Sequence, residues 1–467
     1  MNFISPMDSA FLLAEARERP MHVGALQLFK PPSDAGPDYL RDLYRNLINR
    51  DDTSTTFRKH PAELFGGIAN LTWSVDRNLD LEHHIRRSAL PSPGRVRELL
   101  ELTSRLHGTL LDRHRPLWES HLVEGLGDGR FAVYSKVHHA LVDGVSVMKM
   151  VSQALSTDPE DRDLRVVWGA NGPQGNPNKR EHHRESLLGS AIKTMESLAA
   201  LGPSTVHLAR KGLMEQMLTL PGRAPRSILN ASIGGARRCA AQSWPMPRIL
   251  AIKQAAGVTV NDVVLAMCGG ALRAYLTELD ALPDRPLIAM VPVSLRDDDS
   301  TGGNQVGALL ANLGTTTDDA GQRLRVVAES MRNNKEVFQG LPNAQRLALS
   351  AFNVAPLLLS SLPSVFGVKA PPPFNLVISN VPGARQPLFW NGAELDGGYP
   401  MSIVYEGVAL NITVSSRAGY LDFGLVGCRR SLPSLQRLLG HLDDSLNALE
   451  RAVGTPTHGS RRTVSTS

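Results

Sequence analysis

A chain of 467 residues exceeds what one hydrophobic core usually serves, and its 42% of hydrophobic residues supplies apolar surface for two. The formal charge of +5 comes with no Lys/Arg block interleaved with aromatics, which excludes a nucleic-acid footprint and fits an anionic small substrate or a lipid surface better. Three cysteines, Cys239, Cys268 and Cys428, stand far apart without C-x-x-C spacing, so neither a disulfide framework nor a zinc site is indicated and a reducing cytoplasm is expected.

In chain order, the N-terminus lacks the basic and apolar regions of a signal peptide, and Ser5 to Glu15 reads as a short helix. Met21 to Phe29 follows as a strand ended by Pro31 and Pro32. Leu40, Leu43, Tyr44, Leu47 and Ile48 repeat at three and four residues, one apolar face of a helix over Tyr39 to Ile48. Trp73 to His84 reads as extended, and its His83-His84 pair has no Asp-Gly turn behind it and is given no role. Val96, Leu99, Leu100, Leu106 and Leu110 predict another helix. Pro116-Leu117-Trp118 leads into a hairpin closed by Gly127-Asp128-Gly129, with Trp118 as a hydrophobic anchor.

The chain is organised around Phe131 to Ser146. Phe131, Val133, Ser135 and Val137 alternate with Ala132, Tyr134, Lys136 and His138, the period of a strand whose two faces meet different surroundings. Consecutive strand residues point to opposite faces, so His138 and His139 cannot both reach one reacting atom; one acts and the other supports. Asp143-Gly144 makes a tight reversal, and Met148, Val151 and Leu155 mark the helix after it. A neutral imidazole on such a turn suits a general base, because its pKa lies near neutrality.

Residues 157–243 change texture: Asn171 to Pro177 is irregular, and weakly amphipathic helical pieces at Leu187 to Leu201 and Val206 to Leu218 sit in a basic background. This reads as a crossover linker between an N-terminal half, residues 1–156, and a C-terminal half, residues 244–453, with a disordered tail over 454–467. The second half restarts with Arg237 to Trp244, then a short helix from Pro247 stopped by Gly257, then a helix carrying Asn261-Asp262 and capped by Thr259 or Asn261. Leu287 to Val293, Val306 to Leu313 and Phe374 to Ser379 read as strands, and Gln322 to Phe338 as a helix. Leu347 to Val368 carries no charge, yet Asn353, Pro356, Pro363 and Gly367 interrupt it, so it reads as a buried helix and apolar loop rather than a membrane span. Ala409 to Val414 and Tyr420 to Val426 form a hairpin, and a last helix aligns Leu435, Leu438, Leu442, Leu446 and Leu449.

His138-His139 to Asp143-Gly144 resembles the HHxxxDG signature of the acyl-CoA-dependent acyltransferase superfamily. With Pro116-Leu117-Trp118, Asn261-Asp262 and Ser379-Asn380-Val381-Pro382-Gly383 in the same order, the chain resembles the bacterial wax ester synthase/diacylglycerol acyltransferase family from Pro6 to about Leu449. Asp8 to Leu13 with Met21-His22-Val23-Gly24, and Val291-Pro292-Val293-Ser294-Leu295-Arg296, are similar too. The resemblance implies an α/β fold of two chloramphenicol-acetyltransferase-like halves, each a mixed sheet with helices, joined by a crossover and enclosing a tunnel. It implies transfer of an acyl group from acyl-CoA to a long-chain alcohol or to diacylglycerol. Acyl-CoA is then a substrate and no cofactor or metal is called for; peripheral contact with a membrane or lipid inclusion is expected. The resemblance places the general base on His139 and makes Asp143 structural, paired with Arg296; His138, Gly144, Asn261 and Asp262 support the site.

The residues agree chemically. An alcohol needs a base to take its proton as it attacks a thioester, and the resulting oxyanion needs a donor, for which Ser379, Asn380 and a backbone N–H are the candidates. There is no Gly-x-Ser-x-Gly elbow and no cysteine beside a motif histidine, so a covalent acyl-enzyme is not expected. Adjacent histidines on a strand serve a metallohydrolase badly. Two alternatives remain: a non-catalytic protein of lipid surfaces, favoured by the basic linker and the charge-free stretch, and an acyltransferase of the same superfamily with another acceptor.

Overall fold

The computed structural model describes residues 2–62, 72–142, 144–169, 223–294, 306–340 and 371–455. The expected helical pieces of the linker, the charge-free stretch Leu347 to Val368, and Asp143 and Arg296 lie outside them.

The first half runs β1 (Asn2–Phe3), α1 (Pro6–Ala14), β2 (His22–Lys30), α2 (Tyr39–Ile48), β3 (Lys59–Pro61), β4 (Thr72–Val75), α3 (Leu81–His84), β5 (Ile85–Ala89), α4 (Val96–Gly108), β6 (Trp118–Glu124), β7 (Phe131–His138) and α5 (Gly144–Gln153). The second runs β8 (Arg237–Pro245), α6 (Met246–Ala256), α7 (Val260–Glu278), β9 (Ile288–Ser294), β10 (Val306–Asn312), α8 (Ala320–Gln339), β11 (Leu376–Val381), β12 (Phe389–Trp390), β13 (Ala393–Met401), β14 (Leu410–Arg417), β15 (Tyr420–Cys428) and α9 (Arg437–Val453). Two six-stranded sheets form, in the orders β12-β13-β2-β7-β6-β5 and β10-β9-β11-β14-β15-β8, beside a small sheet β1-β4-β3.

Local chemistry explains the helix ends that matter. Ser5 caps α1 by accepting the Asp8 N–H at 3.1 Å. Thr259, not Asn261, caps α7: its Oγ1 accepts the Asp262 N–H while the Asp262 carboxylate accepts the Thr259 N–H at 2.9 Å, a reciprocal capping box. Gly257 ends α6 at φ +65°, a left-handed conformation that a Cβ would strain.

The first sheet is two-faced, as strand alternation requires. Phe29 pairs with Phe131, Gln27 with Val133 and Val23 with Val137 on the face covered by α5. Leu28 with Ala132, Leu26 with Tyr134, Gly24 with Lys136 and His22 with His138 occupy the other face. That second face meets the C-terminal half in a core that joins Leu26, Leu99 and Tyr134 to Cys239, Tyr399 and Val426.

Three features depart from the reading of the sequence. Leu81–His84 is a single helical turn rather than extended chain, because Asp80 accepts the His83 N–H at 3.3 Å and caps it. β8 spans Arg237–Pro245, the stretch read as restarting the second half, so the linker boundary drawn between residues 243 and 244 cuts through that strand. β12 and β13, late in the chain, pair into the first sheet, β13 lying antiparallel on β2. Two adjacent glycines and Pro400 gave β13 no strand signal, and its partner lies hundreds of residues upstream.

Candidate active site

β7 delivers the histidine pair. His138 is its last residue and is fully buried; its N–H donates to Leu117 O at 2.9 Å, which gives the Pro-Leu-Trp segment a backbone role. Its Nδ1 accepts the Ala140 N–H at 3.1 Å, so in the neutral ring the proton sits on Nε2. That nitrogen stands 3.4 Å from Glu15 Oε1, a long contact, and has no full hydrogen bond among the described residues. His139 is the first residue beyond the strand and is half-buried. Its N–H donates to Met21 O at 2.9 Å, and its ring stacks on Phe11 of α1 with centroids 4.1 Å apart and planes at 22°. A partly exposed imidazole on a turn fixed by its neighbours' backbone can take a proton from a bound hydroxyl.

Glu15 is the node beneath this turn. Its side chain is 2% exposed; Oε1 accepts the Met21 N–H at 3.2 Å, and Oε2 accepts Nε and Nη2 of Arg113, both at 3.0 Å. Burial pushes the Glu15 carboxyl up, but His138, the Met21 N–H and Arg113 outweigh it and hold it below the ordinary carboxylate value.

Behind His138, on the same face of β7, lies a buried polar layer. The Lys136 side chain is fully buried, its Nζ donating to Leu106 O at 3.0 Å and Thr109 O at 2.8 Å at the end of α4, and it lies 3.3 Å from Glu119 Oε2. Burial raises the Glu119 carboxyl, but His121, Lys136 and Arg86 more than offset this and bring it down to about 2. His107 is bonded through Nδ1 to the Tyr134 hydroxyl at 2.8 Å, and burial lowers it to about 3; burial drives His22 well below its usual value too.

The other expected site residues are placed by second-half elements. Asn261 is half-buried in the first turn of α7, and Asp262 is the buried partner in its capping box, with Oδ1 unbonded among the described residues. Ser379 and Asn380 are half-buried on β11, in register with Thr413 and Val414 of β14. Among the described residues, Met21, Leu117 and the Glu15–Arg113 pair hold the histidine turn from the first half. Gly144 opens α5 directly after the motif. Trp118 is an anchor, its indole N–H donating to Phe57 O at 2.8 Å and its ring stacked between His84 and Trp168. Along α5, two adjoining cavities of about 30 Å³ each share Gln27, Val151 and Leu155 in their walls; one ends at Trp168 and Trp390, the other at the Arg417–Asp422 pair. Among the described residues no His/Cys/Asp/Glu group could hold a metal, and no single helix is long and apolar enough to cross a membrane.

Residues 4–264 match the model of the wax ester synthase/diacylglycerol acyltransferase catalytic domain, and residues 302–450 that of the WS/DGAT C-terminal domain. The chain belongs to the wax ester synthase/diacylglycerol acyltransferase family. It is similar to a relative from Mycobacterium tuberculosis named a probable diacylglycerol O-acyltransferase, 58% identical over 97% of this chain and all of that one. It is 40% identical to the O-acyltransferase WSD of Acinetobacter baylyi over 97% of this chain and 98% of that one. The solved wax ester synthase/diacylglycerol acyltransferase of Marinobacter aquaeolei superposes with a TM-score of 0.80 at 41% identity, covering 97% of this chain and 100% of that one. The first condensation domain of the CDA synthetase, at 17% identity and a TM-score of 0.56, shares the fold. The protein is thus an acyltransferase of two mixed α/β halves, as its motifs suggested. The residues of this family member that the sequence did not single out are Glu15, Arg113, Phe11 and Lys136. Only the buried lysine on a strand that otherwise alternates cleanly carried any signal, as a charge placed on an inward face.

Proposed function

We propose that the protein transfers a fatty acyl group from acyl-CoA to the hydroxyl of a long-chain alcohol or of diacylglycerol, with His139 as general base and no cofactor. His139 takes the hydroxyl proton as the oxygen attacks the thioester carbonyl. The tetrahedral intermediate collapses with loss of the CoA thiolate, which takes the proton back from the imidazolium, leaving an ester and free CoA. Ser379, Asn380 or a backbone N–H receives the oxyanion, and Asn261 with Asp262 supports the second-half wall. The proposed Asp143–Arg296 pair holds the turn. An alkyl tail runs along α5 into the cavities at Val151 and Leu155, and contact with a lipid surface is peripheral.

The observation that carries the reading is the division of labour in the pair: His138 fully buried, with Nδ1 accepting the Ala140 N–H and Nε2 facing Glu15 Oε1 at 3.4 Å, and His139 half-buried beyond the strand with its backbone pinned to Met21. The test is product formation by purified protein given labelled palmitoyl-CoA with hexadecanol or dioleoylglycerol, beside His139→Ala. Wild type is expected to make wax ester or triacylglycerol, and the variant to lose roughly 10²- to 10⁴-fold in kcat with its melting temperature nearly unchanged. Activity of the variant near wild type overturns the base assignment, and no product from wild type with either lipid acceptor overturns the acceptor class.

A further inference from the structure

The imidazole that takes a proton must sit within about 3 Å of the reacting hydroxyl, and a displacement of about 1 Å removes much of its effect. What fixes His139 is therefore part of the catalytic apparatus. Its N–H hangs on Met21 O, and the N–H of that same Met21 hangs on Glu15 Oε1. On the other side of His139, the Ala140 N–H hangs on His138 Nδ1, and the opposite nitrogen of that ring faces the same Glu15 oxygen at 3.4 Å. Glu15 is also the C-cap of α1, its N–H donating to the carbonyl of Phe11, whose ring stacks on His139. Arg113 closes the figure by holding Glu15 Oε2 through two nitrogens and donating to Leu12 O at 2.5 Å.

We infer that Glu15, clamped by Arg113, is a positioning residue for His139, acting through the Met21 peptide on one side of the base and through the His138 ring on the other. The inference rests on the reading of His139 as general base. One carboxylate oxygen bonds the residue that holds the His139 N–H and faces the ring that holds the Ala140 N–H, while the helix that Glu15 caps supplies the ring packed on the base. An ion pair that served stability alone would need only the Arg113 contacts. The Oε1 arm, aimed at Met21 and His138, is unexplained by that role. The anion also sets the His138 tautomer: a carboxylate facing Nε2 keeps the proton there and leaves the Nδ1 lone pair free to hold Ala140. Because a base matters in the transition state and not in binding, disturbing Glu15 should lower kcat and spare KM.

The experiment compares wild type, Glu15→Gln, Arg113→Lys and Arg113→Ala for kcat and KM toward palmitoyl-CoA and the acceptor, well below each melting temperature. The Gln amide oxygen still accepts the Met21 N–H, but the side chain loses its charge toward His138 and its paired hold on Arg113. The expected result is a kcat lower by roughly tenfold to a hundredfold for Glu15→Gln with both KM values within about twofold. Arg113→Lys should keep most of kcat and Arg113→Ala should not. Long-range nitrogen-15 spectra of wild-type histidines should show one ring protonated at Nε2 that loses its tautomer preference in Glu15→Gln. A folded Glu15→Gln with wild-type kcat overturns the inference, as does a loss carried wholly in KM. Should Glu15→Gln fail to fold, equal kcat in the two Arg113 variants, or a wild-type His138 protonated at Nδ1, overturns it. A wild type inactive on every acceptor sinks the acyl-transfer reading instead, whereas an active wild type with indifferent variants sinks the positioning role alone.

Discussion

At the scale of the residue, the cavities along α5 are small because Val151 and Leu155 close them, and both side chains are more than nine-tenths buried. Val151→Phe adds bulk to a wall shared by both cavities. If an alkyl tail runs there, kcat/KM for palmitoyl-CoA or hexadecanol relative to the eight-carbon analogue should fall roughly tenfold or more, since even one methylene is worth about 1–3 kcal/mol in such a site. Ratios unchanged in both the donor and the acceptor series would place the tail elsewhere. The histidine doublet was legible from the sequence because it stands at the end of an alternating run and before an Asp-Gly turn. Glu15 was not, because its partners Met21, Arg113 and His138 are brought to it by tertiary folding, and a lone glutamate at a helix end looks like any solvated one.

At the scale of the element, β7 and α4 are tied by one buried cation. Lys136 replaces the water that would otherwise satisfy the last carbonyls of α4, and Glu119 balances its charge. Burial lowers the Lys136 ammonium while Glu119 opposes that drop. Glu119→Gln should therefore destabilise by about 3–5 kcal/mol in denaturant unfolding, because it strands a buried charge, and adding Lys136→Met should recover part of the loss. Strictly additive losses in the double variant would show that the two groups do not act as a pair. Strand alternation announced both faces of β7, and apolar periodicity found α2, α4 and α9 within a few residues. α3 was missed because a four-residue turn is too short to show a period, and its cap, Asp80, reads equally as a loop residue.

At the scale of the whole molecule, the buried polar layer makes stability depend on pH in a definite direction. His107 at about 3, and His22 well below its ordinary 6.5, stay neutral in the fold while the unfolded chain takes up protons below 6.5. Their contribution is complete above pH 6.5 and is lost as pH falls, at roughly 1.4 kcal/mol per pH unit for each histidine. Glu119, lowered from 4.5 to about 2, adds a further loss below 4.5 with the same sign. Calorimetric melting temperatures should accordingly decline from near pH 6.5 downward, and a flat profile between pH 7 and 4.5 would contradict the burial of neutral imidazoles. The two-half architecture was legible from the chain's length and from the family resemblance its motifs carry, but the exchange of β13 was not, since pairing between distant strands leaves no mark in local composition.

That exchange also has a history written into it. β2 is complete at Lys30, while the strand that covers its edge ends at Met401, 401 − 30 = 371 residues later. At about 5–20 residues per second, a growing chain leaves that edge unpaired for roughly twenty to seventy seconds. Through that interval the nascent first half presents the unpaired N–H and C=O groups along that edge of β2 to whatever else is nearby. Completion of the histidine-bearing sheet therefore waits until nearly the whole polypeptide has left the ribosome, and fragments ending before β13 should need a chaperone to stay in solution.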